Sequence, residues 1–116
     1  MQYMALIYTD PQRKPVPGTP AFDEAMKRYF AFTAMLKEKG AFIAGDPLKE
    51  VETATSIRVK DGRVETMDGP FAETKEHLGG YYLFDAPDID TAIRYGAMIP
   101  AAGHGTIEIR PVMSIG

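Results

Sequence analysis

Thr53-Ala54-Thr55-Ser56-Ile57-Arg58-Val59-Lys60-Asp61-Gly62-Arg63-Val64-Glu65-Thr66-Met67 reads as a β-hairpin. Asp-Gly accepts the positive φ angles of a tight two-residue turn, and β-branched residues recur on both sides of it, so residues 53–60 and 63–67 are expected to pair antiparallel. Moving toward the N-terminus, 41–45 is a short strand. Before it lies a helix capped by Thr19, with Pro20 at its first position and Asp23 and Glu24 in its first turn. Phe22, Met26, Tyr29, Phe30, Thr33 and Leu36 recur at helical spacing, and Gly40 ends the pattern. Residues 10–20 carry four prolines and Gly18, as a long polar flap does. The first strand, 3–8, is apolar or aromatic at both parities, which predicts cover on both of its faces.

Toward the C-terminus, 80–84 is a strand, Asp88 caps a helix carrying Ile89, Ala92, Ile93 and Ile99, and 106–112 is the closing strand. This order predicts an α+β fold of the ferredoxin-like, split β-α-β kind: an antiparallel sheet with two helices on one face. The other face needs cover as well, because Ile57, Val59, Tyr82, Phe84, Ile107 and Ile109 spread over both parities. A second copy supplies it most simply, so a homodimer is expected.

At 116 residues the chain is expected to be one domain, 1–116, and 45% apolar with 25% charged residues is the balance of a globular protein. A net charge of -3 and the lack of any longer basic run than Arg13-Lys14 predict no nucleic-acid partner and no membrane partner. There is no cysteine, which removes thiolate chemistry and disulfides and fits a cytoplasmic location. The opening residues lack a basic region and stop being apolar after Tyr8, so neither a signal peptide nor a membrane span is expected there. Two histidines without an i, i+4 pair predict no metal site, and no phosphate loop or dinucleotide fingerprint implies a cofactor.

Asp68-Gly69-Pro70-Phe71-Ala72-Glu73-Thr74-Lys75-Glu76, followed by His77-Leu78-Gly79-Gly80-Tyr81-Tyr82, gathers acids, glycines, aromatics and a histidine. The first nine residues resemble the signature of the DGPF branch of the YCII-related family. The likeness extends to Gly45-Asp46-Pro47-Leu48 and to Pro100-Ala101-Ala102-Gly103-His104-Gly105 with Glu108-Ile109-Arg110-Pro111. The resemblance implies a dimeric α+β barrel of ferredoxin-like halves and a His–Asp acid/base site. It also implies that some relatives are lyase-like or dehalogenating, and that some are associated with sigma factors. In that family the histidine stands on the first helix, eleven residues before the glycine that ends it; here the position is Tyr29 and the helix has no histidine. Asp46 is then the family's acid without its base.

The acid/base role passes to other residues. His104 lies between two glycines before the last strand, and an imidazole suits proton transfer at neutral pH. Asp68, at a strand end before a Gly-Pro turn, is its expected partner, with an Asx-type turn as the alternative reading. Glu73 and Lys75 point the same way in an extended loop and would orient a ligand or form a surface pair. Phe71, Tyr82, Asp46 and Tyr29 complete the expected ligand-binding set, and the abundance of Tyr, Phe and Met fits an apolar small molecule. Three functions are consistent with this pattern. They are cofactor-free acid/base chemistry on a small organic molecule, a non-catalytic sensing or accessory module linked to a sigma factor, and a motif that mainly stabilises a dimer.

Overall fold

The computed structural model describes residues 1–115, in the order β1 (Gln2–Thr9), α1 (Pro20–Glu38), β2 (Phe42–Pro47), β3 (Thr55–Lys60), β4 (Arg63–Asp68), β5 (His77–Asp85), α2 (Ile89–Ala97) and β6 (Thr106–Pro111). Four strands form one sheet in the order β2-β5-β1-β6, antiparallel throughout. With β3 and β4 set aside, this is the split β-α-β order expected from the sequence.

Residues opposite each other in an antiparallel pair share a face. Tyr3, Ala5 and Ile7 lie opposite Phe84, Tyr82 and Gly80 on one side and Pro111, Ile109 and Ile107 on the other. Tyr82 meets Phe32 of α1 edge-on at 4.9 Å between centroids, and Phe84 meets Tyr95 of α2 at 5.5 Å. Both helices therefore cover the same face. Phe84, Leu36 and Ile99 are fully buried at its centre, each contributing roughly 1.5–3 kcal/mol by leaving water.

Local chemistry sets the helix ends. Thr19 accepts a hydrogen bond from the Phe22 amide at 3.3 Å, and Gly40, at φ +68°, turns the chain out of α1. Phe30, assigned to the buried stripe from its spacing, is 70% exposed, and the stripe narrows to Phe32 and Leu36 with half-buried flanks. The Asp88 carboxylate accepts from the Thr91 amide at 2.8 Å, and this bond at the helix start holds its carboxyl below the ordinary value. Of the expected α2 stripe, Ala92 and Ile99 are buried, while Ile89 and Ile93 are exposed and Thr91 and Gly96 face inward instead. The cause is Gly96, where a Cβ would come within 2.9 Å of Ile109, so the helix lies on the sheet through its smallest residues.

The opposite sheet face, with Met4, Leu6, Leu83, Tyr81, Glu108 and Arg110, has no helix on it among the described residues. The molecule is only 18 Å deep, the depth of one sheet and one helical layer.

β3 and β4 form a separate two-stranded sheet, joined by Asp61 and Gly62 at φ 51° and 76° as the turn chemistry requires. This arm is an insertion between β2 and β5. Its base is tied by the Gly69 amide to the Ala54 carbonyl at 2.7 Å and by the Ser56 hydroxyl to the Gly69 carbonyl at 2.8 Å. Ile57, Val59 and Val64 are 62–68% exposed on it. The projection raises the radius of gyration to 16.1 Å, against roughly 13 Å for a compact chain of this length.

β5 begins at His77, three residues earlier than the alternation predicts, and its pairing with β1 carries a bulge: Ile7 faces Gly80 but Tyr8 faces Leu78.

Candidate functional site

A cavity of about 430 Å³ lies between α1 and the β2-β5-β1 part of the sheet. One turn after another of α1 supplies its wall through Phe22, Ala25, Met26, Tyr29 and Thr33, and Ile7, Thr9 and Tyr82 line it from the sheet. The 47–51 segment after β2 and the Pro11–Pro15 part of the proline-rich loop border it, and His77 and His104 reach it from the start of β5 and the turn before β6. The lining is mainly apolar, as small-molecule pockets are.

The interior polar groups have specific partners. Tyr82 Oη and Thr33 Oγ1 share a hydrogen bond at 3.0 Å, and the Tyr82 ring lies where a Cβ on Gly45 would sit, 2.8 Å away. Burial pushes the Tyr29 phenol above its ordinary value, an effect that interaction with the Ala101 backbone partly offsets. It is thus a neutral hydroxyl at physiological pH. Tyr81 points to the other face of β5, and its hydroxyl donates to Asp46 Oδ2 at 2.9 Å; that bond raises the Tyr81 phenol.

His104 is held by the turn that follows Pro100. Its amide donates to the Ala101 carbonyl at 3.2 Å, and the next residue must be glycine, because a Cβ on Gly105 would run into the Tyr8 carbonyl oxygen. Its Nδ1 is buried and has no hydrogen-bond partner among the described residues. An imidazole nitrogen left in this way costs free energy unless a ligand or water satisfies it.

Of the residues singled out from the sequence, the structure brings His104, Asp46, Tyr29 and Tyr82 to this cavity. It brings neither Asp68 nor Phe71, Glu73 or Lys75. Asp68 is exposed at the end of β4, opposite Thr55, because the inserted arm carries the chain off the sheet. Within one chain the expected His104–Asp68 pairing and the rim of residues 68–75 are therefore replaced by α1 and the 47–51 segment. Glu73 and Lys75 do not pair: the ion pairs among the described residues are Lys14–Glu50 at 3.0 Å and Arg110–Glu108 at 3.7 Å. Phe71 is 74% exposed beside the arm. Instead the motif's end anchors β5, with the Thr106 hydroxyl donating to Glu76 Oε1 at 2.8 Å and Thr74 Oγ1 lying 3.4 Å from His77 Nδ1.

Sequence reasoning missed His77, Lys14 and the 47–51 segment as cavity residues. The Phe22, Met26, Tyr29, Thr33 spacing held a signal, since it runs past the length of stripe that the core uses. Among the described residues no group of three or more His, Asp or Glu is arranged to hold a metal ion. No helix among them is long and apolar enough to cross a membrane.

Fold and cavity together define a small α+β protein with a ferredoxin-like sheet and an apolar pocket under its first helix. The model of the YCII-related domain matches residues 1–115, and the chain belongs to that family. An uncharacterised protein of Rhizobium meliloti (strain 1021) is 31% identical over 114 residues, covering 97% of this chain and 92% of that protein. Among solved structures, the chain is similar to 5-chloro-2-hydroxyhydroquinone dehydrochlorinase from Burkholderia phenoliruptrix AC1100, in complex with 2,5-dihydroxybenzoquinone. The TM-score is 0.47 at 16% identity, covering 97% of this chain and 94% of that one.

Proposed function

We propose that the cavity binds a small, mainly apolar organic molecule and that His104 moves a proton on it without a cofactor, in lyase-like chemistry. The observation that carries this reading is an apolar cavity of ligand size with both His104 and the Tyr29 phenol among its lining residues. The neutral Tyr29 hydroxyl is the group best suited to hydrogen-bond the ligand, and Asp46 stands at the border, held by Tyr81. The family relationship supports the same choice of cavity, since Tyr29 and Asp46 occupy the two positions the resemblance marks and both residues border it, with the Asp46 carboxylate drawn to the other face by Tyr81.

A metabolite-binding screen by native mass spectrometry tests the reading. The expected result is a ligand retained by wild type, lost in Ala25→Phe, which fills the cavity, and bound but not turned over by His104→Gln. A ligand retained equally by Ala25→Phe would place binding elsewhere and end the proposal.

The arm favours a separate role for the DGPF motif. Ile57, Val59, Val64, Met67 and Phe71 are all more than half exposed on one projecting element, and an isolated two-stranded hairpin is marginal in water. We propose that the arm and the motif at its base pack against a second copy of the chain, giving a homodimer that also covers the open sheet face.

A further inference from the structure

Three segments of the chain meet at one corner of the cavity, and two of them bring a histidine. His77, at the start of β5, stands opposite Thr9 at the end of β1. On the other side of β1, a Cβ on Gly105 would lie 3.2 Å from the Thr9 side chain, so His104, one residue earlier, flanks the same point. The Thr106 hydroxyl donates to Glu76 Oε1 at 2.8 Å and ties the two histidine-bearing segments together. Both histidines line the cavity, and the chain has no others.

The surroundings of the two rings give them opposite tautomers. Thr74 has one hydroxyl proton and donates it to the Glu76 carbonyl at 2.5 Å. Toward His77 Nδ1, 3.4 Å away, the same oxygen is left to accept, so Nδ1 carries the proton and Nε2 keeps its lone pair. In His104 it is Nδ1 that is buried without a partner among the described residues. A proton there would be an orphaned donor, and the uncharged ring avoids this by carrying its proton on Nε2. One histidine thus presents an acceptor and the other a donor. The carboxylates on the cavity border are engaged elsewhere: Asp46 accepts the Tyr81 hydroxyl on the other sheet face, and Glu50 accepts from Lys14.

We infer that His77 is a second catalytic residue of the cavity, its Nε2 the base that takes a proton from carbon, and that the ligand is an apolar carbon acid with a C–H bond beside a carbonyl group. This rests on the cavity being the ligand site. The C–H bond breaks and its proton goes to His77 Nε2; the electron pair left behind forms a C=C bond, and the carbonyl π pair moves to the oxygen. Charge balances, since an imidazolium and an enolate form together. His104 meets the oxygen with its Nε2–H, the proton that the acid/base reading has it move, in a hydrogen bond that strengthens as the enolate charge develops.

Long-range proton–nitrogen NMR correlation at alkaline pH reads the two tautomers without any ligand. Wild type should show His77 protonated at Nδ1 and His104 at Nε2. β-Tetralone, an uncharged apolar ketone, probes the chemistry. Wild type should speed exchange of its benzylic α-protons in deuterium oxide above the buffer rate, and His77→Gln, whose amide cannot take up the proton, should lower that acceleration about a hundredfold. A His77 protonated at Nε2, an unchanged rate in His77→Gln, or no acceleration by wild type would each overturn the proposal while leaving the cavity as the ligand site. Acceleration retained in Ala25→Phe, with the cavity filled, would overturn both the proposal and the cavity reading beneath it.

Discussion

The body of this molecule and its arm obey opposite rules. In the body, Tyr3, Ala5, Phe84, Leu36 and Ile99 are withdrawn from water by elements of the same chain. In the arm, strands with the same β-branched composition are well paired yet leave Ile57, Val59 and Val64 in solvent. Pairing alone therefore distinguishes nothing. What differs is whether a second layer is present, and the arm has hydrogen bonds without a core.

The largest effect should come from cutting into that second layer. Phe84→Ala removes a ring that is 0% exposed and in contact with Tyr95, and should cost about 3–5 kcal/mol in urea unfolding. A loss below about 1 kcal/mol would mean that the body is not packed as described. Tyr82→Phe keeps the ring and deprives Thr33 of its partner; the expected loss is about 1 kcal/mol by the same measurement.

Asp88→Ala removes the cap of α2 and should lower stability at neutral pH. Because the Thr91 amide holds the Asp88 carboxyl below its ordinary value of 3.8, this contribution is complete above pH 3.8 and disappears as pH falls through the lowered value. Wild type and variant should therefore converge in strongly acid solution, and a gap that persists there would assign the effect to something other than the charged cap. The smallest change in chain stability should come from Val59→Lys with Val64→Lys, within about 0.5 kcal/mol at high dilution. The same double variant should nevertheless halve the mass seen by sedimentation. Unchanged sedimentation would remove the second copy from the arm and leave its apolar face unexplained.

The sequence made visible whatever rests on local chemistry. Thr19-Pro20, Asp61-Gly62 and Asp88 start or turn their elements where the residue types require, since each works through hydrogen bonds or φ angles within a few positions. The ferredoxin-like order followed from the count and sequence of elements. It was not visible that β3 and β4 leave the sheet, because alternation reports that a strand has an apolar face without naming what the strand pairs with. The α2 stripe is right at Ala92 and Ile99 and wrong at Ile89 and Ile93 for a related reason: large residues attract a core assignment, whereas Gly96 lies against the Ile109 side chain.

The candidate site was half legible. His104 drew notice through its glycines, although Gly105 serves a tight approach to Tyr8 rather than a mobile imidazole. Asp68, Glu73 and Lys75 drew notice through charge density, which looks the same on a rim as on a solvated arm. The ion pair that lines the cavity joins Lys14 to Glu50 across 36 positions, a separation over which neither residue signals the other.

The bulge in β5 divides that strand into two phases. From Gly80 onward, even-numbered residues such as Tyr82 and Phe84 face the helices, and strict alternation would turn His77 to the opposite side. The step past Gly79 resets the count, so His77 stands opposite Thr9, which shares the face of Ile7. One glycine thereby decides on which side of the sheet a histidine is presented. Deleting Gly79 would take out the extra residue and keep His77 opposite Thr9, whereas regular pairing with every residue kept would be a change of address for His77, turning it out of the cavity wall.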